Sequence, residues 1–302
     1  MSANPAIIGD EFKRGFHRQT NWSWSMATAF FFGESGAGLF LVSLFYDFFP
    51  GLLAGLLLTA LGKTAGHLLH LGQPARAWRA ILKLNSSWVS RGLLAIIVFT
   101  GCGALYLLHL AGLTFGLMPA WLAPVLGALA GAAALVIMLY QGLAMSHSPA
   151  IALWSTGIMP LLSLTYAALA GVALALAMGA AETRVAVWQG PSLLQGVELG
   201  LMFYLLIMHF SLLHAARYGA QGARKSAELL LRGSLARAFL GVVILVGLLV
   251  PLALLAMGLE GGAGTLFISA CVLAGYYAFR VAIFKAGVYD PPQSFTPRLR
   301  RF

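Results

Sequence analysis

The chain has 302 residues, 60% of them hydrophobic and only 9% charged, where a soluble domain carries roughly a quarter charged residues. So few ionised groups cannot cover a water-soluble fold of this length, which excludes a soluble enzyme. The formal charge of +10 is therefore read from where Lys and Arg fall, and not as a sign of nucleic-acid binding.

Crossing about 30 Å of hydrocarbon takes about 20 apolar residues at 1.5 Å each. Such runs lie near residues 27–49, 51–70, 92–113, 121–140, 156–178, 193–214, 238–257 and 265–284. They predict an all-α integral membrane protein of eight transmembrane helices in a single membrane domain. Its parts are an N-terminal arm (1–26), a first four-helix group (27–140), a second (156–284) and a tail (285–302).

The arm is polar, with Asp10, Glu11, Lys13, Arg14 and Arg18. A cleaved signal peptide is not expected there, and the first helix is expected to be its own insertion signal. That helix carries Gly33, Gly36 and Gly38, small residues that let helix backbones approach closely in lipid, and it contains Glu34. The second span holds Lys63, His67 and His70, spaced by four and three residues and so on one helix face. Counted from the end of its span, Lys63 lies about 10 Å deep. Glu34 lies at nearly the same depth, so the two are expected to pair, directly or through water. The following stretch, residues 72–91, mixes Arg76, Arg79, Lys83 and Arg91 with Trp78 and Trp88, the pattern of an interfacial amphipathic segment.

Cys102 and Cys271 sit in apolar runs. Two thiols do not ligate an iron–sulfur cluster, which takes four, and they read as packing residues. In the sixth span Glu198 and His209 are three turns apart on one face, with Glu198 expected near the far surface and partly hydrated. The next connection is basic again, with Arg217, Arg224, Lys225, Arg232 and Arg237. In the last span Arg280 is close enough to its end to snorkel. The tail adds Lys285, Arg298, Arg300 and Arg301.

With eight spans, all these basic segments fall on one side and only Arg184 on the other. An odd number would mix them. The positive-inside rule then places both termini and the two long basic connections in the cytoplasm, at the cell inner (cytoplasmic) membrane. The likeness of those connections hints at two four-helix bundles.

Ionisable groups within a membrane are costly and mark function. Glu34, Lys63, His67 and His70 gather toward the basic side, which suits an interfacial site for a lipid-soluble redox carrier. Reducing such a carrier takes protons as well as electrons, and imidazole is a suitable relay. Two other readings stand beside this. A haem b anchor would use His67 or His70 facing His209 or His214, and a proton-coupled transporter would use the same ionisable groups, with interrupted helices near the midplane. The chain shows no nucleophile motif, metal cage or nucleotide loop for chemistry on a soluble substrate.

The run GHLLHLGQPARAWRAILKLNSSWVSRG (66–92) resembles the signature of the NrfD/polysulfide reductase membrane-subunit family, related to the dimethyl sulfoxide reductase membrane anchor. The first span, FFFGESGAGLFL, is similar to that family's glycine-rich opening helix, and YQGLAMSHSPAIALWSTGIMPLL resembles the region after its fourth helix. The resemblance implies two four-helix bundles and a bound quinone (menaquinone or ubiquinone), with no metal held by this chain. It further implies a four-cluster ferredoxin-like iron–sulfur partner joined to a molybdenum or tungsten pterin (molybdopterin) catalytic subunit. By position, His70 and Arg76 match residues linked to quinol binding, and Tyr140 matches a tyrosine that contacts quinone. Lys63, His67, Trp78 and Trp88 complete the expected site, the two tryptophans lining an apolar slot. The acidic residue common in the anchor branch is replaced by Gly92, which leaves Glu34 as the proton-handling acid.

Overall fold

The structure is a computed structural model that describes residues 15–181, 191–258 and 261–290. Lys13, Arg14, Arg184, Arg298, Arg300 and Arg301 lie outside the described residues, as does part of the arm and of the tail. Among the described residues eight helices are long and apolar enough to cross a membrane.

A short strand, β1 (His17–Arg18), precedes α1 (Trp24–Phe45), which starts after Ser23 in extended backbone. Next comes α2 (Phe49–His70), with Pro50 in its first turn, where a missing N–H costs nothing. Residues Leu58–Lys63 of α2 are π-helical, a local widening often found at functional sites. The stretch expected to lie at the interface is a 3-10 helix, Pro74–Lys83, almost wholly exposed. It is fastened to the start of α3 (Trp88–Leu110): Ser90 Oγ donates to the Ala80 carbonyl, and Arg91 donates to Leu84 (2.9 Å) and Asn85 (2.8 Å).

The chain continues through α4 (Leu122–Ser146), α5 (Ile158–Ala181) and α6 (Pro191–Tyr218). The surface helix α7 (Gln221–Leu231) follows, then α8 (Arg237–Ala256), α9 (Gly262–Lys285) and β2 (Val288–Tyr289). The expected runs and observed spans agree closely. The largest difference is at α4, which runs past Tyr140 to Ser146 and so brings Gln141 inside the span.

Two helices hold the fold together. α1 packs on α2, α4, α5 and α9, while α5 packs on α4, α6 and α9. Buried apolar residues form one cluster among α1 to α4 and another spanning α5 to α9, with α1 and α5 contributing to both. Without a hydrophobic drive between helices in lipid, close van der Waals packing must do the work, and small residues permit it. A Cβ on Gly36 would lie 2.6 Å from the Gly55 carbonyl oxygen of α2, and Gly38 and Gly171 bring α1 and α5 into backbone contact. The glycines of the first span are thus crossing points.

On the basic side, β1 and β2 pair antiparallel, and His17 stacks on Tyr289 at 4.8 Å. Gln19 ties this ribbon to the end of α9 by donating to the Phe284 carbonyl (2.7 Å). Beneath it Trp22, Phe30, Trp154 and Phe284 pack edge-to-face or tilted at 5.2–5.9 Å, closing the seam between α1 and α9.

Candidate functional site

Glu34 of α1, Lys63 of α2 and Arg280 of α9, the buried charged side chains described on these helices, gather around Phe30. Glu34 on α1 is fully buried and accepts hydrogen bonds from Arg280 and Tyr276 of α9. The two α9 residues are four apart and so share a face. Arg280 also donates to Ser163 Oγ of α5 (2.8 Å) and, through Nε, to Tyr276 Oη (3.4 Å). Its guanidinium lies 5.7 Å from the Phe30 and Phe279 ring centres. A charge in a low-dielectric interior is tolerated only when paired and hydrogen-bonded, and Arg280 meets both conditions.

This corrects two expectations. Arg280 does not snorkel: it is 1% exposed and is the partner of Glu34. Lys63 is therefore not the direct partner, although with its Nζ and Glu34 Oε1 both unpartnered it still suits the link through water. Its ammonium lies 5.0 Å above the Tyr140 ring and 5.6 Å from Phe30, without a hydrogen-bond acceptor. The sequence placed Glu34 and Lys63 at one depth, and in the structure Lys63 and Arg280, the two buried cations, both lie near the Phe30 ring, at 5.6 and 5.7 Å from its centre.

Gly33 makes the room. A Cβ there would stand 2.8 Å from Lys63 Nζ and 3.2 Å from Gln141 Nε2. Both amide atoms of Gln141, Lys63 Nζ and Glu34 Oε1 are buried without a partner. Unpartnered buried polar groups are rare and each costs about 1–3 kcal/mol. Water or a polar guest reaching this notch would satisfy several of them together.

Tyr140, 5% exposed, forms the floor under Lys63. Gly92 of α3 abuts the Tyr140 ring so closely that any side chain there would overlap it. The Tyr140 ring thus fills the volume that an acidic side chain at position 92 would need.

The other expected residues lie nearer the basic surface. His67 is half-buried one turn above Lys63, and His70 Nδ1 lies 3.4 Å from Ser25 Oγ of α1. Trp88 is half-buried, covered by the Arg91 guanidinium at 4.5 Å and meeting His147 edge-on at 6.1 Å. Arg76 and Trp78 are exposed, with Trp78 under Arg79 at 5.7 Å. The structure thus joins Glu34, Lys63 and Tyr140 at the seam, sets His67 and His70 along the same helix toward the surface, and leaves Arg76 and Trp78 on the exterior.

In the second half, His209 is buried, its Nδ1–H donating to the Leu205 carbonyl (2.7 Å). Since a carbonyl only accepts, Nε2 is left to accept from Tyr166 Oη (3.1 Å). Neither nitrogen is free for a haem iron, which removes His209 from the bis-histidine pairing. Glu198 is not surface-hydrated as expected. It is 1% exposed, and its Oε1 has no partner.

Sequence reading missed Tyr276, Ser163 and Gln141, and it gave Arg280 no chemistry. A signal existed for one pair, since Tyr276 and Arg280 are spaced four apart inside a span. Ser163 and Gln141 are single polar residues in apolar helices, and only the fold shows which neighbour they face.

No curated protein matches the chain. The model of the family described as polysulphide reductase, NrfD, matches residues 14–291, and the chain belongs to that family.

Proposed function

We infer that this chain is the quinone-reactive membrane subunit of an oxidoreductase complex, passing electrons between an iron–sulfur partner and the membrane quinone pool. The family membership supports the setting, a membrane subunit of a polysulphide reductase-type complex. The observation that carries the quinone reading is the cluster packed against Gly33, where Lys63 and Gln141 hold buried, unpartnered polar atoms beside Tyr140. These groups fit a quinone, whose two carbonyl oxygens accept hydrogen bonds and whose ring is apolar. When bound, the quinone supplies two-electron, two-proton redox chemistry. Lys63 and Gln141 would donate to a carbonyl oxygen, and Tyr140 would pack on the ring. His67 and His70, on the same helix nearer the surface, would line the way from Lys63 to the basic side. Glu34, held by Arg280 and Tyr276, keeps one carboxylate oxygen free to receive a proton.

The partners in this reading are a four-cluster iron–sulfur subunit and a molybdenum or tungsten pterin enzyme. The charge distribution supports a catalytic module on the cytoplasmic face, an arrangement that suits quinone reduction driven by oxidation of a cytoplasmic substrate. The π-turn of α2 does not restore the transporter reading, because the helix continues from Leu58–Lys63 into Thr64–His70 without exposing the half-helix ends that coordinate ions.

The test is made on the assembled complex. Lys63→Met and Gln141→Leu should each lower quinone-linked turnover at least roughly tenfold, the loss of one transition-state hydrogen bond. Activity with a soluble dye, which bypasses this subunit, should be unchanged. Normal quinone turnover in both variants would reject the assignment.

A further inference from the structure

The ribbon of β1 and β2 has no role in the site above, yet it forms one wall of a groove of about 520 Å³ on the basic side. Phe16, Arg18, Lys225, Glu228, Arg232 and Val288 line it. The three cations come from separate parts of the chain: Arg18 from the strand before α1, and Lys225 and Arg232 from α7 and the turn after it. Arg18 is steadied by a bond to Ser234 Oγ (3.3 Å), and the Lys225 ammonium sits 4.7 Å over the Phe16 ring. Among the described residues none of the three forms an ion pair, and neither does Glu228, the one carboxylate present.

Position decides what such a groove meets. Its residues lie within a few positions of the starts of α1 and α8 and the end of α9, so it stands at headgroup depth. α7 buries Gly222, Ala223, Ser226, Ala227 and Leu230 against the protein and turns Lys225 and Glu228 outward, which keeps the cations fixed in direction. Between the charges the walls are apolar, from Phe16 and Val288. Clustered cations over apolar surface at the end of membrane helices match a phosphate ester that carries hydrocarbon.

We propose that this groove binds the head group of an anionic phospholipid, with its phosphate among Arg18, Lys225 and Arg232. Bound there, the lipid bridges the N-terminal strand, α7 and the chain after α9. This site is independent of the quinone reading.

The full chain, purified in neutral detergent and stripped of lipid, is titrated with cardiolipin, phosphatidylcholine or inorganic phosphate. Thermal unfolding and native mass spectrometry are the readouts. Cardiolipin should raise the unfolding midpoint and survive as a one-to-one adduct, whereas phosphatidylcholine and phosphate should do neither. The triple variant R18Q/K225Q/R232Q should weaken cardiolipin binding by about a hundredfold, from three lost charge contacts. R79Q/K83Q/R224Q removes equal charge from the same side outside the groove, and R18K/R232K preserves charge within it; both should bind normally. An adduct that persists in the triple variant, equal loss in the outside-groove variant, or an equal shift with inorganic phosphate would overturn the proposal.

Discussion

Glu34 and Arg280, 246 positions apart, form a buried ion pair that joins the first membrane helix to the last. The bridge ties α1 to α9, with Tyr276 and Ser163 satisfying further hydrogen bonds. Because both charges are buried, neither can fall back on water if its partner is lost.

Removing one member should therefore cost more than removing both. Arg280→Met strands the carboxylate and should destabilise the chain by about 3–5 kcal/mol. The double variant Glu34→Gln, Arg280→Met should lose clearly less than the sum of the single losses, giving a coupling energy of about 0.5–3 kcal/mol. Detergent-titrated unfolding of the helices measures this, and strict additivity would mean the pair is not coupled.

Gly92 and Tyr140 make a second, steric pair. Gly92→Ala drives a methyl group into the tyrosine ring and should cost about 1–3 kcal/mol, as overpacking does. Tyr140→Ala in the same chain should restore part of that loss by vacating the space. Thermal midpoints of the two single variants and the double variant decide it; no rescue would show that the methyl collides elsewhere.

The Tyr166–His209 bond predicts a polar penalty in the second half. Tyr166→Phe keeps the ring stack on Tyr276 (4.8 Å) but leaves His209 Nε2 unpaired. The expected cost is about 1–3 kcal/mol, with helical content unchanged by circular dichroism. Adding His209→Leu removes the orphaned nitrogen and should recover stability.

Orientation is testable without function. The described basic residues Arg76, Arg79, Lys83, Arg91, Arg217, Arg224, Lys225, Arg232, Arg237 and Lys285 all lie on the side that carries β1 and β2, with eight spans between those strands. A reporter fused after Phe302 should be active only in the cytoplasm, and one inserted within residues 182–190 only outside. The reverse pattern would move the proposed catalytic partner across the membrane.

What was legible in the sequence follows from rules that act along one helix. Apolar run length gave all eight spans, and the four-and-three spacing of Lys63, His67 and His70 put them on one face at known depth. Lys and Arg placement gave the sidedness on which orientation rests. None of this needs a neighbour, because insertion into lipid is decided segment by segment.

The choice of partner is a different matter, and the tertiary structure alone made it. Glu34 had a cation at equal depth on the adjacent span, yet it paired with Arg280 because α9 packs against α1 and offers Tyr276 as a second donor. Lys63 was left over the Tyr140 ring, packed with Gln141 against Gly33, whose missing side chain gives them room. Period and depth fix where a side chain sits on its own helix; which face of which other helix lies opposite depends on packing among all eight.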